Sequence, residues 1–279
     1  MLIQEIVKIL TDAGIEPDEA NIEVRMLIEH FCGYTRTDIL LGKKLTADML
    51  DIVEKKAKLR AETRQPVQHI IGFADFMGEK FKVNPHVLIP RDETEILVRK
   101  AVEIINSNNF KTALDMGTGS GCIACMTAKF TDCRVLGLDI SNAALNTALD
   151  NASRLNLYNK AVFRKSDLFS NVKDERFDII ISNPPYIPIS EKASIQKEVT
   201  FDPDLALYTN DEKGLEFYEK IIPQAPKFLN PNGYIVFEAG YGQADDIKRI
   251  LTDNGFYDIE IIKDLAGIDR VISAVYREV

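Results

Sequence analysis

Asn183-Pro184-Pro185-Tyr186 follows the apolar run Phe177-Asp178-Ile179-Ile180-Ile181-Ser182, and its residue types suit a cradle for a planar NH2 group. Each proline has φ fixed near about −65° and no N–H, so the Pro184 carbonyl at the strand end is left unclaimed by local secondary structure. With the Asn183 side-chain oxygen it makes two fixed acceptors. An amide or amino-purine nitrogen that gives both hydrogens to them can turn its lone pair out of conjugation and toward an electrophile. Tyr186 offers a flat apolar wall for the planar group. Asn183, Pro184 and Tyr186 are thus the expected catalytic set, and Pro185 joins them in holding substrate. Taken alone, the tetrapeptide also fits a plain turn after a strand.

The electrophile is suggested upstream. Thr112-Ala113-Leu114-Asp115-Met116 reads as an apolar strand ending in an acid, and Gly117-Thr118-Gly119-Ser120-Gly121 then opens a helical run at Cys122. Alternating glycines permit positive φ and close approach of backbone to a ligand. Their G-x-G-x-G spacing differs from the G-x-G-x-x-G of dinucleotide sites. Asp115 beside that loop would repel a pyrophosphate but suits a ligand carrying an ammonium and a sulfonium, which points to S-adenosylmethionine. Asp139 ends a second strand, Arg134–Leu138, where a carboxylate can accept from both ribose hydroxyls. After a third strand, Ala161–Lys165, Asp167 can accept from the adenine amino group while Leu168 or Phe169 covers the ring. Each of these acids also fits a helix N-cap. The expected cofactor contacts are Asp115, Gly117, Thr118, Gly119, Ser120, Gly121, Asp139, Asp167, Leu168 and Asn183.

No metal is expected. His30, His69 and His86 are scattered, and Cys122-x-x-Cys125 falls in the helix after the glycine loop with no second pair to complete a zinc site. A thiol there packs as a small hydrophobe.

The elements that must carry these residues divide near residue 70. Before it the apolar spacing is helical: Ile3, Ile6, Val7 and Leu10 mark one helix, and Ala20, Val24, Leu27, Ile28 and Phe31 a second. Pro17-Asp18-Glu19 is a good start for the second. A short helix over Arg36–Leu41 and a longer one over Thr46–Thr63 follow, and Gln65-Pro66-Val67-Gln68 breaks the pattern. The dense run Lys55-Lys56-Ala57-Lys58-Leu59-Arg60 is expected to be a solvated helix face. Residues 73–83 alternate like a hairpin that Val87–Pro90 extends. Beyond Pro90, strands and helices alternate, with Tyr234–Glu238, Tyr257–Ile262 and Arg270–Tyr276 as strands five to seven, the pattern of a doubly wound parallel sheet. The expected organisation is a helical bundle over 1–70, a β-hairpin linker over 71–90 and a cofactor-binding domain over 91–279.

At 279 residues and 46% hydrophobic content the chain has ample material for two cores. A net charge of −9 argues against a partner held by its phosphate backbone, so no direct nucleic-acid binding is expected. No apolar run of membrane-spanning length and no signal-like start at Met1-Leu2-Ile3-Gln4-Glu5 is present, which leads to the expectation of a cytoplasmic protein without membrane contact.

Gln65-Pro66, Ile71-Gly72-Phe73, Leu88-Ile89-Pro90-Arg91-Asp92-Glu93-Thr94-Glu95, the glycine loop, Asn183-Pro184-Pro185-Tyr186-Ile187 and Gly267-Ile268-Asp269-Arg270 together resemble the HemK/PrmC family, peptide chain release factor glutamine N5-methyltransferases. The resemblance runs over essentially the whole chain. It implies an α/β class I S-adenosylmethionine-dependent methyltransferase, a Rossmann-like sheet of seven strands with the last one antiparallel, preceded by a small helical domain that grips the protein substrate. It implies as substrate the glutamine of the Gly-Gly-Gln motif in bacterial class 1 release factors, methylated by direct in-line transfer and without metal. A monomer is expected. Glu93, in the loop before a helix, and Phe73 are implied to border the substrate; each also fits a bland role, as a first-turn acid and as hairpin core. The chain departs from the family at Asp92, commonly Pro, and at Leu168, where some members have an aromatic residue. Two alternatives stay open on the residues alone. The same cradle accepts adenine N6 or cytosine N4 in a nucleic-acid methyltransferase, and the chain could bind the cofactor as a non-catalytic adaptor.

Overall fold

The computed structural model describes residues 3–277. It divides into two compact units, one made of the chain up to Phe73 together with Gln196–Phe201, the other of Ala74–Ile195 and the chain from Asp202 onward.

In the first unit the helices are α1 (Ile3–Asp12), α2 (Pro17–Cys32), α3 (Arg36–Leu40), α4 (Ala47–Thr63) and α5 (Val67–Ile71). Ile6, Leu10, Ala20, Leu27, Val53 and Ala57 recur at helical spacing and form its buried centre. Thr35 caps α3 in a reciprocal box with Asp38, and the Thr46 hydroxyl accepts from the Met49 N–H at the start of α4. The break expected over Gln65–Gln68 is confined to Gln65-Pro66, because Pro66 lacks an N–H and fits just ahead of the first turn of α5.

The basic run on α4 is not one solvated face. Lys55 and Lys58 pair at the surface with Asp51 and Glu54, but Arg60 is 1% exposed. Its Nε donates to both Glu23 carboxylate oxygens at 3.0 Å, and one terminal nitrogen donates to Glu198 Oε1 at 3.0 Å. Arg64 meets the same Glu198 oxygen at 2.6 Å. The helical period turns Arg60 to the apolar side that Val53 and Ala57 share, so the carboxylates come to it.

In the second unit β1 (Phe73–Phe76) and β2 (Glu79–Lys82) form the expected hairpin. Its two turn residues, Met77 and Gly78, have φ of 50° and 81°, the left-handed pair that a two-residue hairpin needs. From Ala74 on the hairpin packs within the second unit: Phe76 and Phe81 are buried with Leu97 and Ala101 of the following helix in one core. Val87–Pro90 does not extend it, since the chain turns over residues 85–87 and Pro85 and Pro90 cannot donate to a ladder.

The large sheet contains β3 (Thr112–Met116), β4 (Arg134–Asp139), β5 (Ala161–Lys165), β6 (Phe177–Ser182), β9 (Leu229–Glu238), β10 (Phe256–Lys263) and β11 (Asp269–Tyr276), while β7 (Ile187–Pro188) and β8 (Tyr208–Thr209) make a separate short pair. The order is β10-β11-β9-β6-β3-β4-β5. Only β11, the last strand, runs against its neighbours. Alternation sends Leu114, Leu136, Ile180, Phe237 and Ile272 to one face and Ala113, Val135, Ile179, Val236 and Val271 to the other. Both faces are covered, the first by α10 (Glu216–Ile221) and α11 (Ala244–Asp253), the second by α6 (Thr94–Asn108) and α7 (Cys122–Phe130). That explains the near-continuous apolar strands. The remaining helices are α8 (Asn142–Arg154) and α9 (Asp204–Leu207). Among the described residues no helix is long and apolar enough to cross a membrane.

Candidate active site

Strand order reverses at β3, which lies between β4 and β6, and open α/β sheets bind ligands at the carboxyl ends of strands beside such a switch. Those ends carry the glycine loop after β3, Asp139 at the end of β4 and Asn183 just after β6.

The loop is held by its neighbour strand. Gly117 and Thr118 donate their N–H groups to the Leu138 carbonyl at 2.9 and 2.8 Å, and Gly119 N–H donates to Asp139 Oδ2 at 2.9 Å. Gly117, Gly119 and Gly121 have φ of 76°, 53° and 79°, a conformation that side chains rarely tolerate. A Cβ on Gly121 would stand 2.9 Å from that of Ala148.

A cavity of about 430 Å³ runs along this edge, of a size for a small cofactor. Of the residues expected from sequence, Gly117, Gly119, Asp139, Asp167, Leu168, Asn183, Pro184 and Pro185 line it. Asp139 accepts from Gly119 through one oxygen and from the Ser141 N–H through the other at 2.8 Å. Beyond these N–H groups and that of Ile140 the carboxylate keeps lone-pair capacity, which suits a ribose hydroxyl. Burial raises its pKa against the pull of those N–H groups. Leu168 stands at φ 45°, held there as the Ser166 hydroxyl donates to its carbonyl at 2.6 Å. With Leu138 it gives an apolar wall. The donor set fits a nucleoside-bearing cofactor.

Other expected residues stand elsewhere. Asp115 is wholly buried beneath the loop, where its Oδ2 accepts from the Thr118 hydroxyl at 2.5 Å and from the Ala124 N–H at 3.1 Å. Burial pushes its pKa up to about 7. Thr118 and Ser120 are buried as parts of the loop's support, and the Ser120 carbonyl accepts from Asn151. Tyr186 is packed against the core, its hydroxyl donating to Glu238 Oε1 at 3.4 Å and its carbonyl accepting from Gln243 at 2.9 Å. Burial, then the charge of Glu238, raises its phenol pKa. Glu93 is exposed in the turn before α6. The turn around Asp92 closes by Thr94 N–H to Arg91 and Glu95 N–H to Asp92 bonds at 3.1 Å, so it forms without the usual proline. Phe73 belongs to the helical unit, its ring 6.1 Å from that of His30. Cys122 and Cys125 are buried free thiols in α7.

Sequence reasoning missed part of the wall. His86, Val87 and Leu88 enter from the turn after the hairpin, Pro203, Leu205 and Ala206 from the start of α9, and Phe217, Lys220 and Ile221 from α10. It also missed a buried chain behind Asn183. Asn183 Nδ2 donates to Thr94 Oγ1 at 3.3 Å, and Thr94 Oγ1 donates to Glu238 Oε2 at 2.6 Å. Burial pushes the Glu238 pKa up to about 7, opposed by Thr94 and the charge of Arg270.

Residues 1–72 match the family described as PrmC N-terminal domain, and residues 92–201 the one described as methyltransferase small domain. The chain is 36% identical over 267 residues to the release factor glutamine methyltransferase of Geobacter sulfurreducens, covering 94% of this chain and 91% of that one. It is 35% identical to the enzyme of the same name from Bacteroides thetaiotaomicron, over 92% and 93% of the two chains. The solved structure of the T. Thermophilus 16S rRNA N2 G1207 methyltransferase in complex with AdoMet and guanosine is alike in fold, with a TM-score of 0.51 at 18% identity over 74% of this chain and 50% of that one. Likeness of sequence over nearly the whole length, on a sheet with one reversed strand and a glycine loop at its switch point, places this chain in the family of release factor glutamine methyltransferases.

Proposed function

We propose that this chain methylates the side-chain nitrogen (N5) of the glutamine in the Gly-Gly-Gln motif of bacterial class 1 release factors, in the cytoplasm, with S-adenosylmethionine as donor. One observation carries the reading: Asn183, Pro184 and Pro185 line the same cavity as the glycine loop and Asp139. A cradle for an NH2 group therefore borders a pocket for a nucleoside. Gly117 and Gly119 give close backbone approach, Asp139 takes the ribose hydroxyls, Asp167 the adenine amino group, and Leu168 with Leu138 the ring. Bound there, S-adenosylmethionine supplies a methyl group on a sulfonium for direct in-line transfer to the amide nitrogen.

The chain's own part is orientation. Asn183 Oδ1 and the Pro184 carbonyl accept the two hydrogens of the glutamine NH2 and turn its lone pair out of conjugation. The nitrogen need not be deprotonated first: once it has gained the methyl it is strongly acidic and sheds a proton to water. Holding reactants near attack distance is worth several kcal/mol, on the order of 7 or more in well-aligned cases. Relatives named for release factors support the partner, and the helical unit is the part we assign to gripping it.

The test is transfer of labelled methyl from S-adenosylmethionine to a purified class 1 release factor, beside the same factor with its Gly-Gly-Gln glutamine replaced and beside unmethylated DNA and RNA. Label confined to the intact factor at that glutamine is the expected result. Label on nucleic acid with none on the factor overturns the substrate and keeps the chemistry.

A further inference from the structure

We infer that Thr94 and Glu238 are positioning residues that fix which end of the Asn183 amide faces the cavity; the inference rests on the reading of Asn183 as acceptor for the substrate NH2. An asparagine amide is nearly symmetric in shape, and a half-turn exchanges its oxygen and nitrogen. Flipped, it would set a donor against the substrate's donors, and the cradle would lose one of its two acceptors.

Counting hydrogens selects the orientation. When Glu238 is ionised its carboxylate only accepts, so Thr94 gives its single hydroxyl hydrogen to Glu238 Oε2, 2.6 Å away. Thr94 is left with lone pairs toward Asn183, 3.3 Å away, and can only accept there. The amide end at Thr94 is therefore the NH2, and Oδ1 is the end left for the cavity that Asn183 lines. Tyr186 donates to the other Glu238 oxygen at 3.4 Å, so both carboxylate oxygens are engaged. At 3.3 Å the Asn183 bond is long, and it serves to choose an orientation more than to bind tightly.

The fold builds this chain from three distant segments. Strands β6 and β9 are parallel neighbours with Ser182 opposite Phe237, so Asn183 and Glu238 emerge side by side one residue later. Thr94 is the first residue of α6, 2% exposed, and Glu238 is 1% exposed. Water is thereby kept from substituting for either.

Turnover and KM on the release factor and calorimetric cofactor affinity would be measured for wild type, Thr94→Val, Thr94→Ser, Asn183→Ala and the Asn183→Ala/Thr94→Val double variant. Thr94→Val should lower kcat by about tenfold or more while cofactor affinity stays within about twofold. Thr94→Ser, which keeps the hydroxyl, should restore most of the rate. In the Asn183→Ala background the same Thr94→Val change should cost less than about twofold, because its effect passes through an amide no longer there. Thr94→Cys, with a weak acceptor in a similar volume, should show the loss where valine disturbs folding. A Thr94→Val enzyme as fast as wild type, or one equally impaired with and without Asn183, overturns the inference. Wild-type enzyme that leaves the release factor unlabelled overturns instead the reading on which it rests.

Discussion

Buried acids are handled in opposite ways in the two units. In the helical unit Glu23, 5% exposed, meets the Arg60 guanidinium at 3.0 Å, and Arg60 in turn meets Glu198. At the strand ends of the sheet unit Asp115 and Glu238, 0% and 1% exposed, accept only from hydroxyls and an N–H. The first arrangement carries its own counter-charge, though burial still raises the Glu23 pKa against the pull of Arg60, and breaking it costs structure. The second is short of positive charge, and burial pushes both acids up to about 7. Neither acid lines the cavity; each holds a wall residue or the loop in place through its hydroxyl and N–H partners.

Breaking the charge-paired side should give the largest effect. Arg60→Ala strands Glu23 without a counter-charge and should lower stability by about 3–5 kcal/mol, seen in a denaturant midpoint. Next is overloading the side short of positive charge. Asn183→Asp removes the NH2 that Thr94 accepts from and adds a negative charge near the cofactor's sulfonium. Turnover should fall about a hundredfold, roughly 2.7 kcal/mol, while calorimetry shows tighter cofactor binding. Equal turnover would refute the cradle. Smaller is a pH effect. An acid whose folded pKa is raised stabilises the protein most below its unfolded value and loses that contribution as pH climbs to the folded one. With Asp115 at about 7, the ligand-free protein should lose stability between about pH 4 and 7, at up to about 1.4 kcal/mol per unit for this group. Asp115→Asn should flatten that slope in melts across pH. Smallest is Lys55→Ala, which removes an exposed pair with Asp51 and should leave the midpoint unmoved within error.

The central strands were readable because both sheet faces are buried there and each shows it locally, as Phe177–Ser182 and Arg134–Asp139 do. The glycine loop and Asn183-Pro184-Pro185 were readable because their chemistry lies in consecutive residues. Thr94 and Glu238 were not. They stand 144 positions apart, and nothing in either neighbourhood says that α6 begins beside the end of β9. Asp115 was recognisable as an acid at a strand end, but which side of the loop it faces depends on the hydroxyl of Thr118 and the N–H of Ala124 that draw it under. Arg60 sat in a run of lysines and looked solvated; only the partners Glu23 and Glu198, 37 and 138 positions away, reveal otherwise.

Glu198 has a consequence for the order in which the protein can be made. The helical unit takes in Gln196–Phe201, so its buried arginine is not complete when the first 73 residues leave the ribosome. Arg60 must wait for a partner 138 positions later. At synthesis rates of about 5–20 residues per second that is on the order of ten seconds. During that interval the nascent bundle carries a guanidinium matched only from α2, by Glu23 and Glu19, and most of the sheet unit's strands emerge before the bundle closes.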